Sequence, residues 1–418
     1  MFRIACISYR SIIRIVLTLF PLMPLVLYAE GNVIHIYHDA DVTHHFESSD
    51  AIRKGIEVAL NEIDSEIEGY KVVYKQLDHR GNVVRSKNNY SLFINDPKAL
   101  VVYSGLSSPP LIKNRGFINE NRALTLVPWA AGGTITRYPS QSNWIFRLSI
   151  DDTQAASVIL DFVLNRKRCK KPHLVIEDSP WGDSNVVSLT QYLVDKGFTG
   201  KAVHRFSWGA GSLGAGELLR NVIGANGDCM VLVGNSVESA VIINELIKLP
   251  SEQRIPVISH WGLTGGNFLE IVPASDLNKI DLSFIQTCFA FTNPHQSHLA
   301  KKVFEQVKEH SDGLIDKPGD LKSAVGFIHA YDLTRVLIQA IRQAGLSGEI
   351  ESDRAAIRTA LENLQHPVEG LIKTYTRPFS VFDEESNVNA HEALHRDDYC
   401  MASFGSMGEV VIFPPREQ

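Results

Sequence analysis

The chain has 418 residues, 44% of them hydrophobic and 21% charged, and a formal net charge of −6. That length exceeds what one core usually carries, so two lobes are expected, and an acidic, evenly mixed surface excludes nucleic acid and anionic lipid as natural partners. No Gly-x-Ser-x-Gly elbow occurs, and the Ser, His and Asp residues are too scattered to nominate a catalytic triad.

In chain order, residues 1–29 read first, as a secretory signal. Arg3, Arg10 and Arg14 accompany an uncharged apolar stretch, and Leu27-Tyr28-Ala29 offers a small residue at the cleavage point before Glu30. The alternative is an uncleaved anchor, but the run from Ile15 to Tyr28 falls short of the ~20 residues a bilayer needs, and Pro21 and Pro24 interrupt it. Cleavage removes three positive charges and no negative one, which takes the mature chain to −9. Export would leave Cys169, Cys229, Cys288 and Cys400 in an oxidising compartment. Their spacing is neither a metal pattern nor a disulfide framework, so disulfides and buried free thiols both stay open.

Beyond the signal, β-branched runs end in loops rich in Gly, Ser, Asn or Trp and pass into amphipathic helices, a rhythm that holds to about Ala344. The first series predicts a strand over Asn32–Tyr37, a helix from Ile52 to Ile63, a strand over Val72–Leu77 and a helix over Arg85–Phe93. Strands over Ala99–Ser104 and Leu124–Val127 follow. They open into Gly105-Leu106-Ser107-Ser108-Pro109-Pro110 and Pro128-Trp129-Ala130-Ala131-Gly132-Gly133, where the crevice of a parallel sheet would form.

A second series follows Trp144–Arg147. It predicts strands over His173–Ile176, Ala202–Phe206, Cys229–Val233 and Pro256–Ser259, alternating with helices over 153–164, 184–196, 213–223 and 237–249. From Gln296 the chain turns helical, most clearly over Ala324–Ala344 and Arg354–Leu364, and Tyr375–Pro415 reads as short strands and loops. No low-complexity linker separates the two series, so several crossovers are expected to join them.

Three patterns bear on chemistry. Gly209-Ala210-Gly211-Ser212-Leu213-Gly214 is a dinucleotide-type glycine pattern between a strand and a helix, but it lies deep in the chain, and Glu238, the acid 24 residues after Gly214, falls inside a helix. His35, His38, His44 and His45, or His391 and His395 with Asp397 and Asp398, have metal-ligand chemistry without a third ligand fixed by spacing. Trp129, Trp181, Trp208 and Trp261, four of the five tryptophans, sit in loops at strand ends beside glycines. Their faces suit an aromatic, apolar or cationic solute, and a quaternary ammonium would fit a cage of such rings.

The order of several short segments resembles the substrate-binding proteins of branched-chain amino acid ABC transporters, in the type I periplasmic binding protein superfamily. These segments are Ala59-Leu60-Asn61-Glu62-Ile63, Ser104-Gly105-Leu106-Ser107-Ser108, Phe146-Arg147 with Asp151-Asp152-Thr153, Trp181-Gly182 where the family usually has Tyr-Gly, Ala330-Tyr331-Asp332, Ala340-Ile341-Arg342-Gln343-Ala344-Gly345, Ala356-Ile357-Arg358-Thr359-Ala360-Leu361, and Pro378-Phe379 with His391-Glu392-Ala393-Leu394.

The resemblance implies an α/β fold of two lobes, each a mostly parallel sheet flanked by helices, joined by three crossovers. The expected boundaries are 30–148 plus about 291–345 for lobe I, and 149–290 plus about 346–418 for lobe II. It also implies ligand contacts from Ser107, Ser108, Trp129, Ala131, Trp181, Asn235, Ser236, His260 and Trp261. Ala131 stands where amino-acid-binding relatives use a threonine, and no acid for an α-ammonium lies near Trp261, which argues against an ordinary aliphatic amino acid. The expectation is therefore a non-enzymatic periplasmic protein, with no catalytic residue, metal or cofactor, that captures a small organic solute, an amino acid or a related aromatic acid or amide, for the membrane permease of an ABC importer. A sensor acting on a membrane partner would share the same fold, and an exported metal enzyme using His260 or the His391 region is the third reading.

Overall fold

The computed structural model describes residues 32–414 except 141, 199–201 and 312; the expected signal segment lies outside the described residues. The first sheet contains β1 (Val33–Ala40), β2 (Glu66–Ile67), β3 (Tyr70–Asp78), β4 (Ala99–Ser104), β5 (Thr125–Val127) and β6 (Ile145–Arg147), in the order β2-β3-β1-β4-β5-β6. All its pairings are parallel except β2 with β3. Such a sheet is covered on both faces, which is why β4 is buried along its whole length and reads as an unbroken apolar run.

The connecting helices are α1 (Phe46–Asn61), α2 (Val83–Asn95) and α3 (Ser108–Glu120). Asn82 caps α2 by accepting from the N–H groups of Val84 and Arg85.

The chain then crosses into a second sheet through α4 (Asp152–Asp161), which a π-helical turn extends over Phe162–Arg166. The strands there are β7 (Pro172–Glu177), β8 (Ala202–Phe206), β9 (Cys229–Val233), β10 (Val257–Ser259) and β11 (Leu282–Thr287). Between them lie α5 (Pro180–Asp195), α6 (Ser212–Gly224), α7 (Ser236–Lys248) and the single turns α8 (Phe268–Ile271) and α9 (Ala274–Leu277). A second crossing leads to α10 (His298–Glu309), α11 (Ala324–Ala344) and α12 (Ile350–Glu362), and then to the hairpin β12 (Val368–Glu369) and β13 (Thr374–Tyr375). A third returns the chain to the second sheet as β14 (Tyr399–Phe404) and β15 (Val410–Ile412), giving the order β15-β14-β11-β10-β9-β7-β8. The α/β class, the two mostly parallel sheets and the three crossovers are as expected.

Two findings differ from the sequence expectation. β11 was not anticipated, because Ser283, Gln286 and Thr287 break its apolar run although all three are buried. α12, which the expected boundaries put with the second lobe, packs on α11 and β4: Arg354 Nε donates to the carbonyl of Ala99 at 2.9 Å and its guanidinium lies over Phe93.

The helix α11 fixes much of the first core by packing along α1. Gly55 permits the approach, since a Cβ there would meet the carbonyl oxygen of Phe327 at 2.4 Å. The cysteines are paired as Cys169–Cys229 and Cys288–Cys400, with Cα separations of 6.1 and 5.0 Å. No helix among the described residues is long and apolar enough to cross a membrane.

Candidate functional site

The carboxyl ends of β4 and β5 in the first sheet face those of β7, β9 and β10 in the second across a cavity of about 220 Å³. Its walls are the turns in which the strands end. Ser107, Ser108, Pro109 and Pro110 open α3, Trp129 and Ala131 follow β5, and Glu177 to Trp181 lead from β7 into α5. Trp208, Asn235, Trp261 and Gly262 complete the second side. Seven of the nine expected residues therefore line one hollow: Ser107, Ser108, Trp129, Ala131, Trp181, Asn235 and Trp261.

Each ring has a reason for its position. Trp129 is 1% exposed and lies 5.9 Å from Trp261 between ring centroids. Gly326 of α11 makes room for it, since a Cβ there would fall 2.5 Å from Trp129 Cζ3. Trp181 sits in the first turn of α5, started by Pro180 and capped by Ser179, which accepts from the Gly182 N–H. Its indole Nε1 donates to Asp152 Oδ1 at 3.3 Å. The hydroxyl oxygen of Ser108 accepts from the Gly132 N–H at 3.1 Å, which ties the loop after β5 to the start of α3.

His260 and Ser236 lie behind the wall. His260 is fully buried, edge-on to Trp181 at 5.2 Å, with Nε2 3.0 Å from Asp152 Oδ1 but without hydrogen-bond geometry. Ser236 begins α7, and its Oγ lies 2.5 Å from where a Cβ on Gly266 would project. Neither lines the cavity; His260 backs Trp181.

The sequence reading missed Glu177, Asp178, His45 and Gly81, which also line the cavity. Glu177 is 5% exposed, and Asn235 Nδ2 donates to its Oε2 at 3.3 Å. Burial pushes its carboxyl up to about 7, with the Ser179 hydroxyl pulling down and the Glu238 charge adding to the rise. His45, at the start of α1, is held below the usual histidine range by burial.

The other patterns resolve differently. Glu238 Oε1 accepts from the N–H of Gly209, so the acid near the glycine-rich loop pins that loop. His391 is fully buried, with its ring nitrogens 3.0 Å from the carbonyl of Ile145 and from Glu362 Oε1, whereas His395 is exposed, so the two share no helix face. Among the described residues one group has metal-ligand spacing, Cys169, Asp228 and Cys229, and its cysteines are bonded to each other.

Contacts between the two sides surround the cavity. The Gly133 N–H donates to Ser184 Oγ at 2.9 Å, Trp208 meets the His44 ring edge-on at 5.8 Å, and Leu106 packs against Gly265. Beside them, at the first crossover, Arg147 is fully buried and holds Glu392 through Nε and Nη2 at 2.7 Å each, Asp151 Oδ1 at 2.9 Å and the Gly132 carbonyl at 2.9 Å. Arg137 closes the cluster on Asp151 Oδ2 at 2.6 Å. A larger hollow of about 890 Å³ lies beside Cys288–Cys400, against α4 and β14 and away from the facing strand ends.

A profile described as periplasmic binding protein matches residues 45–385. The chain belongs to the periplasmic binding protein family. Members of this family are solute-binding proteins, and the fold agrees with solved structures. A type 1 periplasmic binding protein from Bordetella pertussis Tohama I superposes with a TM-score of 0.74 at 18% identity, over 92% of this chain and 100% of that one. A solute-binding protein of an ABC transporter from R. palustris, in complex with benzoate, gives 0.73 at 15% identity over 91% and 96%. A branched-chain amino acid transporter substrate-binding protein from Streptococcus pneumoniae, in complex with isoleucine, gives 0.67 at 19% identity over 91% and 100%. No protein among the curated sequences matches the chain. The hollow lies at the facing strand ends of two parallel α/β sheets, the place where such sheets generally offer a crevice.

Proposed function

We propose that this chain is exported to the periplasm, captures a small organic solute between two lobes, and presents the closed form to the permease of an ABC importer. The two lobes are built on the two sheets, and the solute contacts come from Ser107, Ser108, Trp129 and Ala131 on one side and Trp181, Asn235 and Trp261 on the other. The observation that carries this reading is the cavity of about 220 Å³, walled by strand-end loops of both sheets and by indole rings from each. Contacts from both sides exist together only in the closed form, so a ligand that needs both shifts the population toward closure. The similar proteins that hold benzoate and isoleucine support an amino acid or aromatic acid transport system as the general setting.

Thermal unfolding against a solute library tests the reading. A solute at 100 times its Kd stabilises a single-site protein by about 2.7 kcal/mol. Trp181→Ala should weaken that solute's binding tenfold or more, a loss of ~1.4 kcal/mol, read on a variant that circular dichroism shows to be folded at the titration temperature. Unchanged affinity would remove Trp181 from the site.

A further inference from the structure

Resting on the binding-protein reading, we propose that the solute is an organic cation of net positive charge, an amine or quaternary ammonium, seated among Trp129, Trp181 and Trp261 with the Glu177 carboxylate as its counterion. Four observations converge on this chemistry. Indole faces carry negative electrostatic potential and attract a cationic nitrogen, most strongly where water is excluded. Four indoles line the hollow, and two of them, Trp129 and Trp261, are 1% exposed.

The charge of the wall is one-sided. Glu177 and Asp178 line it, and among the described residues that do so there is no lysine or arginine. Asn235 and the Ser179 hydroxyl hydrogen-bond Glu177, but no neighbouring cation neutralises it. Glu238 of α7 is a second buried acid, with one carboxylate oxygen bonded to Gly209 and the other without a partner. Arg205 of β8 reaches only the backbone carbonyl of Glu177, at 3.0 Å, and places its other nitrogen 2.7 Å from Asp183. His45, across the cavity, is held toward its neutral form by burial. A buried acid beside a second acid, facing a cavity and lacking a cationic partner, is a site that a cationic ligand completes.

The opposite wall offers an anion no full helix N-terminus; its remaining donors are the Ser107 and Ser108 hydroxyls and the Trp129 indole N–H, which are uncharged. The first turn of a helix ordinarily gathers anions with its free N–H groups, but α3 begins Ser108-Pro109-Pro110, and both prolines lack the N–H. The neighbouring N–H of Gly132 is already committed to Ser108 Oγ. A carboxylate placed here would meet no cationic side chain and would face two acids, Glu177 and Asp178.

The ionisation of Glu177 adds a signature. Burial holds its proton to about 7, and a cation in the cavity favours the ionised form, so binding expels that proton and affinity rises between pH 6 and 8.

Tryptophan fluorescence titrations of the mature protein test this, with tetramethylammonium, choline and putrescine as cations, 3,3-dimethylbutan-1-ol as the uncharged isostere of choline, and benzoate and leucine as ligands without net positive charge. The expected result is saturable binding of a cation, with choline roughly tenfold or more tighter than its isostere. Affinity for the cation should increase from pH 6 to 8, and Glu177→Gln should flatten that increase. Equal affinity for choline and its isostere overturns the proposal on the wild-type protein alone, so it does not depend on how the variant folds. Saturable binding of benzoate or leucine without response to any cation also overturns it and leaves the binding-protein reading standing. Silence toward every probe, with the protein folded by circular dichroism, counts against both.

Discussion

Glu177 holds a carboxyl whose proton is retained to about 7 in the folded chain, against 4.5 for the free side chain. Between those values the folded state binds more proton than the unfolded one, so ligand-free stability falls as pH rises through this window and levels off above it. The span corresponds to about 3 kcal/mol. Glu177→Gln should therefore raise the urea midpoint at pH 8 and leave it nearly unchanged at pH 4; an equal gain at both would mean that the carboxylate charge is not what costs stability. Gly326 is the second informative residue. Gly326→Ala would drive its methyl into Trp129, and overpacking of this kind costs ~1–3 kcal/mol, with weaker solute binding as the ring moves. A variant of full stability and full affinity would show that the ring has room to shift.

Residue type alone disclosed only part of the site. Indoles beside glycines at strand ends are conspicuous because cores seldom place Trp there, and three of the four such rings were assigned to the site from that signal. Glu177 was hidden because it closes a strand, where an acid ordinarily meets solvent; its burial arises only when Asn235 and the Glu238 helix fold over it. His260 was assigned to the cavity from its position after β10, but its ring turns toward Asp152 and Trp181.

Among the elements, the strand-to-helix turns wall the cavity and the crossovers join the two sheets. The buried cluster at the first crossover joins β6 through Arg147, the start of the second sheet's chain through Asp151, and the returning segment through Glu392. Removing one member leaves an uncompensated buried charge, which typically costs ~3–5 kcal/mol. Glu392→Gln should lower stability in that direction, and because Arg147 also holds the Gly132 carbonyl, it should weaken solute binding as well. Chemical unfolding and a titration on the same preparation check both; a stable variant with normal affinity would show that Asp151 alone compensates Arg147. Strands were legible in the sequence wherever Val, Ile and Leu formed short runs, as in Cys229–Val233 and Ala99–Ser104. β11 was not, because its buried Ser283, Gln286 and Thr287 mimic a loop, and β12 with β13 is too short to leave a period.

At the scale of the whole molecule, two parallel sheets present their carboxyl ends to one hollow, and the contacts at its rim come from both sides. Gly133 with Ser184, Trp208 with His44 and Leu106 with Gly265 join the two sides, and under the proposed closure they would separate as the sheets part and so act with the ligand in setting the balance between open and closed forms. The alternation of strand and helix disclosed this architecture, whereas the division of the last segments did not follow from it. The packing of α12 on α11 and β4 depends on Arg354 reaching Ala99 and Phe93, partners about 250 positions away that no local pattern announces. The most direct measurement is a crystal structure of the protein with the solute that stabilises it. The account predicts density for that solute bounded by Trp129, Trp181 and Trp261 with Glu177 in contact. Density seated elsewhere, such as the hollow beside Cys288–Cys400, with this cavity empty, would contradict it.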